Sequence, residues 1–307
     1  MSTAIYTHRA CLAHDPGPGH PESSARLAAV LEALNDPAFA TLARIEAPAA
    51  TREQLARVHV PGLIDSVLDE PVASGWRRID GDTTMSPASA EAALRAAGAV
   101  CAAVDAAIDG AQTRAFCAVR PPGHHATRDA AMGFCLFNSV AVGAAHAIVA
   151  HGLTRVAIVD FDVHHGNGTQ DIFWSDPRVM YASSHQWPLY PGTGARSETG
   201  AGNIVNAPLR PGSGSTEFRA ACEATVLPAV ERFAPELVII SAGFDAHRLD
   251  PLANLNLAAE DYAWITERLV EIAGRHARGR VVSSLEGGYS LTALRESTAA
   301  HVAALMA

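Results

Sequence analysis

Cysteine is scarce in this chain: Cys11, Cys101, Cys117, Cys135 and Cys222 are all there is in 307 residues. The count is odd and no two form a C-x-x-C pair. Reduced thiols and a cytoplasmic location are therefore expected, not a disulfide framework. The start, Met1–Ser2–Thr3–Ala4–Ile5–Tyr6, lacks a basic region ahead of an apolar core, so no signal peptide is expected. Long apolar runs are missing too. The Ala-rich stretch from Ala88 to Ile108 is broken by Glu91, Arg95 and Asp105, and predicts an ordinary helix without membrane contact. Basic charge is in deficit, with a formal net charge of −9. That weighs against nucleic acid as the main partner, since phosphate binding needs clustered Lys and Arg. There is no internal repeat, no low-complexity linker and no G-x-S-x-G elbow for a serine nucleophile.

Apolar residues make up 49% of the chain, enough for a sizeable core. Short apolar runs at Ala115–Val119, Val156–Val163, Leu237–Ala242 and Val281–Leu285 predict strands buried in a parallel sheet. Helical patterns lie between them. Pro21–Leu34 starts with a proline suited to a first turn, and Thr51 with Gln54 resembles a capping box. A long helix is expected after Ser86–Pro87, ending at Gly110. Others follow over Asn138–Ala150, Glu217–Phe233 and Glu260–Ala277. The alternation predicts a doubly wound, mostly parallel sheet with helices on both faces, in one domain spanning 1–307. His146, His151, His276 and His301 fall in helical patterns with no evident partner and are read as structural.

The chemistry concentrates just beyond the four strands. Val156–Val163 reads as a buried strand that ends in a cluster of metal ligands, Asp162–Val163–His164–His165–Gly166–Asn167–Gly168. Alternate residues of a strand share a face, so Asp160, Asp162 and His164 are expected to project together. Two carboxylates on so apolar a run need a cation or hydrogen-bond donors. Arg120–Pro121–Pro122–Gly123–His124–His125 follows the first strand, Gly243–Phe244–Asp245 the third, and Glu286–Gly287–Gly288–Tyr289 the fourth. In an open parallel sheet all four loops meet at the carboxyl edge. Asp162, His164 and Asp245 would supply three ligands and leave a position for water, which suits zinc. His124 and His125 offer an acid–base pair. Tyr289, after two glycines, could donate to an oxyanion. Asp160 and Asn167 are placed to orient histidines. Singly, each has an ordinary alternative: a surface histidine pair, an Asp245 helix cap, a packed Tyr289, a structural Glu286. Jointly they argue for a site.

These motifs resemble those of the zinc-dependent histone deacetylase family, including class II-like bacterial deacetylases and acetylpolyamine amidohydrolase relatives. The resemblance runs from Gly19–His20–Pro21–Glu22–Ser23 to Tyr289, and includes Gly133–Phe134–Cys135–Leu136–Phe137–Asn138 and Tyr190–Pro191–Gly192–Thr193–Gly194. It implies an arginase/deacetylase-like three-layer α/β/α fold and hydrolysis of N-acyl-lysine or a small-molecule amide. It implies a catalytic Zn²⁺ on Asp162, His164 and Asp245, with His125 as general base and acid and His124 as its electrostatic neighbour. Tyr289 would bind the oxyanion, Phe134 and Tyr190 would wall the acyl-lysine tunnel, and the Gly133 carbonyl would accept the substrate amide. A structural K⁺ would sit at Asp160, Asp162, His164, Ser183 and Ser184. Asn167 matches the class II-like branch, where another branch has Asp. Tyr289 is kept where a weakly active subgroup has His, so activity is expected over a silent acyl-lysine binding module. Leu252 stands where a polyamine-specific subgroup has an acid, which disfavours acetylpolyamines. The lack of a long N-terminal extension predicts an open mouth. Oligomeric state is left open.

Overall fold

The computed structural model describes residues 2–307. Ten strands alternate with helices: β1 (Thr3–Thr7), β2 (Ala43–Glu46), β3 (Arg77–Arg78), β4 (Thr84–Met85), β5 (Arg114–Cys117), β6 (Val156–Asp160), β7 (Val179–Gln186), β8 (Ile204–Leu209), β9 (Leu237–Ala242) and β10 (Val281–Leu285). The α-helices are α1 (Ala10–Ala13), α2 (Ser24–Ala33), α3 (Arg52–Ala56), α4 (Pro61–Leu68), α5 (Ser89–Asp109), α6 (Ser139–His151), α7 (Asn167–Phe173), α8 (Ser215–Ala221), α9 (Leu227–Phe233), α10 (Ala259–His276) and α11 (Leu291–Met306). Eight strands form one sheet in the order β2-β1-β5-β10-β9-β6-β7-β8, and every pairing in it is parallel. β3 and β4 form a separate antiparallel hairpin. Helices cover both sides of the sheet, α5 packing on α6 and α2 and α10 on α11. One core runs from Ala4 to Leu305.

Strand order positions the site. β9 and β10 are late in the chain, yet they fill the gap between β5 and β6. The four motif-bearing loops, far apart in sequence, thus leave four adjacent central strands. These strands are buried throughout because both faces are covered, which is why they show as apolar runs. The four outer strands of the sheet were not evident in the sequence. β7 carries Ser183, Ser184, His185 and Gln186, all buried, and a polar run of this kind gives no strand signal.

Several boundaries differ from expectation. The second strand ends at Asp160 rather than Val163. Asp160 Oδ1 accepts from the Asp162 N–H at 3.0 Å, and Asp162 Oδ1 accepts from the His164 N–H at 2.9 Å. Two successive side-chain-to-backbone turns replace the ladder there. The Pro21–Leu34 pattern becomes helical only at Ser24, because Glu22 is drawn into the core by ion pairs. The Glu217–Phe233 pattern is divided into α8, a π turn over Cys222–Val226, and α9. Pro228 lacks the N–H that would continue the α pattern. The Thr51–Gln54 capping box is present.

Candidate active site

Asp162, His164 and Asp245 converge where the β6 and β9 loops leave the sheet, and all three are buried. His164 Nδ1 lies 3.1 Å from Asp162 Oδ1 and 3.1 Å from Asp245 Oδ2. Ligand atoms on a tetrahedral ion with bonds of about 2.0–2.2 Å stand about 3.3–3.6 Å apart, so this trio fits a zinc-sized cation. The carboxylates are fixed from behind. Asp162 Oδ2 accepts from the Gly287 N–H at 2.8 Å, and Asp245 Oδ1 from the Val163 N–H at 2.8 Å. The glycines beside them leave the necessary room. A Cβ on Gly243 would stand 2.0 Å from Asp162 Oδ2, and one on Gly287 2.1 Å from Asp245 Oδ2. Burial and the nearby Asp162 push Asp245 up to about 7. Burial would lower His164, but Asp162 and Asp245 outweigh it and raise it to about 10. Without a metal the trio therefore favours a bound proton, as expected of a cation site.

The two histidines of the β5 loop have ring centres 4.0 Å apart with planes tilted by 46°, yet their supports differ. His124 Nδ1 donates to Asp160 Oδ2 at 2.9 Å, whereas His125 Nδ1 meets the amide oxygen of Asn167 at 2.8 Å. Burial disfavours charge on both. For His124, Asp162 and Asp160 overcome it and raise the ring to about 10. For His125, burial and the cationic rings of His124 and His164 hold it well below its usual range. One histidine is built to stay charged and the other neutral. Glu286 has a supporting role: its Oε2 accepts from the backbone N–H groups of Gly123 at 2.6 Å and His124 at 3.2 Å.

A pocket of about 240 Å³ opens above these groups, lined among others by His125, Gly133, Phe134, His164, Tyr190 and Tyr289. Leu252, partly exposed, also lines it. Gly133 has φ +57°, and a Cβ there would lie 2.6 Å from the His125 ring, so only glycine fits. Phe134 and Tyr289 rings stand edge-on at 5.9 Å, and Tyr190 is edge-on to His125 at 5.1 Å. Ser183 lies opposite Asp160 in the β6–β7 register, with buried Ser184 next to it.

Three contributors were not evident in the sequence. Asp82, in the β3–β4 turn, lines the same pocket as Leu252. Asp250 Oδ2 accepts from the Tyr289 N–H at 2.7 Å, and the Arg26 guanidinium lies 4.8 Å from the Tyr289 ring centre. These roles depend on long-range contacts; only the unusual polarity of Asp80–Gly81–Asp82 could have drawn notice. The four helical histidines do have partners. His146 and His151 both meet Asp105 Oδ1 at 2.6 Å, His276 meets Glu231 at 2.8 Å, and His301 lies between Thr266 and Ser283. Asp105, His146 and His151 could also surround a cation. However, Arg57 donates to His146 Nδ1, so Nε2 carries the proton and donates to Asp105.

Fold and site together define a parallel α/β protein with a buried, cation-ready cluster at the carboxyl edge of its sheet. Residues 20–305 match the histone deacetylase domain model. The chain is 40% identical to histone deacetylase 14, chloroplastic, of Arabidopsis thaliana, over 98% of this chain and 76% of that one. It is 38% identical to the histone deacetylase-like amidohydrolase of Pseudomonas aeruginosa, over 94% and 82%. The crystal structure of the HDA15 HD domain superposes with a TM-score of 0.94 at 37% identity, covering 99% and 88%. The chain belongs to the histone deacetylase family, whose members named deacetylase and amidohydrolase are hydrolases acting on amides. Among the described residues, no helix is long and apolar enough to cross a membrane.

Proposed function

We propose that this protein is a zinc-dependent hydrolase of N-acyl-lysine. The observation that carries the reading is the asymmetric histidine pair, one ring facing a carboxylate and the other an amide, beside three ligand-type side chains. Zinc held by Asp162, His164 and Asp245 would polarise the scissile carbonyl and acidify water. With its Nδ1–H taken by Asn167, His125 has Nε2 free as an acceptor. It takes a proton from the attacking water and returns it to the leaving nitrogen. His124, kept charged by Asp160, stabilises the anionic transition state. Tyr289 donates to the oxyanion. The Gly133 carbonyl accepts the substrate N–H, and Phe134 and Tyr190 flank the lysine stem. The products are a carboxylate and an amine.

Asp160, Asp162, His164, Ser183 and Ser184 are assigned a structural potassium ion. Exchange into potassium-free buffer should lower the melting temperature, and an unchanged value removes that ion from the account. The five cysteines are unpaired and buried, which suits a reducing compartment such as the cytoplasm. A second reading keeps the chemistry but takes small N-acyl or N-alkyl amides. Partial exposure of Tyr190 and Leu252 at the mouth favours it, as does the amidohydrolase name of the Pseudomonas relative. A panel of acetyl-lysine peptides, acetylated polyamines and small amides separates the readings. Highest kcat/KM on acyl-lysine is expected. Turnover confined to small amides or polyamines would overturn the substrate, and binding without turnover by zinc-loaded protein would overturn the hydrolase.

A further inference from the structure

Next to the catalytic pocket lies a groove of about 490 Å³, whose lining includes Gly17, His20, Trp76, Arg78 and Asp82. It adjoins the catalytic pocket, and Asp82 lines both. His20 joins them as well: its ring is edge-on to Phe134 at 4.7 Å, and its Nε2 donates to the Asp82 carbonyl at 3.0 Å.

Trp76 is the unusual feature. It is 51% exposed, although burying an indole is ordinarily favourable. It is nevertheless held in place. Its Nε1–H donates to the Asp15 carbonyl at 3.1 Å. A methyl on Gly17 would lie 3.6–3.9 Å from three atoms of the pyrrole ring, so one side of the indole rests on that glycine. The rest of the ring faces solvent with no polar demand left to meet. Arg78, exposed on the same hairpin, donates to the Gly81 carbonyl but forms no ion pair among the described residues. Its neighbour Arg77 is paired with Glu70.

We infer that this groove binds the polypeptide flanking the acyl-lysine, with an aromatic side chain on Trp76 and an acidic one at Arg78. The inference rests on the amide-hydrolase reading and narrows its substrate to peptides and proteins. An acyl-lysine in the pocket leaves its own backbone at the mouth. An extended chain advances about 3.3 Å per residue, so the next two or three residues pass over whatever adjoins that mouth. A free small amide has nothing to place there. A fixed aromatic platform with one unpaired arginine offers a flanking peptide area and charge at little ordering cost.

The test uses heptapeptides with a central Nε-acetyl-lysine, flanked on either side by Phe and Glu, by Phe and Lys, or by Ala alone. A doubly blocked acetyl-lysine serves as the minimal substrate. The Phe/Glu peptide should exceed the Ala peptide in kcat/KM by about ten-fold on one flank, the size of one good aromatic contact. Trp76→Ala should remove most of that ratio. Arg78→Glu should reverse the preference from Glu to Lys. Equal kcat/KM for all flanks in the wild type, or ratios unchanged in both variants, would overturn the inference. Anisotropy of the same labelled peptides reads binding without turnover. A protein that binds them with this flank preference but cleaves nothing refutes the hydrolase reading and supports the groove. One that cleaves the minimal substrate but ignores the flanks does the reverse.

Discussion

Asp160 and Asn167 differ by one hydrogen-bonding group, and that difference separates the roles open to two neighbouring histidines. An acceptor-only carboxylate stabilises charge on His124, while a neutral amide gives His125 no such gain. Tyr289 shows the same economy. Its backbone N–H is tied to Asp250, and Arg26 covers its ring, so the hydroxyl is the part left to act. Tyr289→Phe removes only that hydroxyl. The expected result is a fall in kcat of about 100- to 1,000-fold with a much smaller change in KM, and with metal content intact. Near-normal kcat in this variant returns Tyr289 to a tunnel wall.

At the scale of elements, loops leaving adjacent strands do the work, and buried ion pairs lock them together. Glu22, just before α2, accepts from Arg26 at 3.0 Å and from Arg120 NH2 at 2.7 Å. Arg26 in turn donates to the carbonyls of Glu286 and Gly288, ahead of Tyr289. Burial alone would raise the Glu22 pKa, but Arg120 and His14 hold it well below its usual range. Glu22→Gln removes the carboxylate that ion-pairs with both buried guanidinium groups. A loss of about 3–5 kcal/mol is expected in urea unfolding, larger than any surface ion pair would give. The four central loops were legible in the sequence because their strands are continuous apolar runs. β7 was not, since Ser183 through Gln186 are buried polar residues. Glu22 and Asp82 were not either, because what they do depends on partners Arg120 and Gly133, about 100 and 50 residues away along the chain. The alternation argument placed Asp162 and His164 on one face of a strand; two consecutive Asp turns bring them together instead.

At the scale of the molecule, buried neutral histidines weaken the fold in acid, His59 and His301 among them. His59 Nδ1 donates to the Thr127 carbonyl, and Nε2 accepts from the Asn138 N–H, so a proton on Nε2 would face a donor. Burial lowers His59 to about 4 and His301 to about 3. The unfolded chain titrates these groups near pH 6.5 and so binds more protons than the fold below that pH. Their contribution to stability should be full above about pH 6.5 and fall steadily as pH drops towards 4. His301→Asn should flatten that slope, and an unchanged slope contradicts this origin. All 23 basic residues are arginine and there is no lysine. The protein therefore carries no lysine side chain to compete with an acyl-lysine substrate.

The central claim is that amide hydrolysis depends on a zinc ion held by Asp162, His164 and Asp245. The direct measurement is a zinc titration of metal-stripped protein, followed by hydrolysis of an acetyl-lysine peptide. The account predicts negligible initial rate, a linear rise, and a break at about one equivalent, as three ligands at a single centre require. The same titration of Asp245→Ala should show neither rise nor break. Full activity in stripped wild-type protein, or an unchanged break in Asp245→Ala, would contradict it.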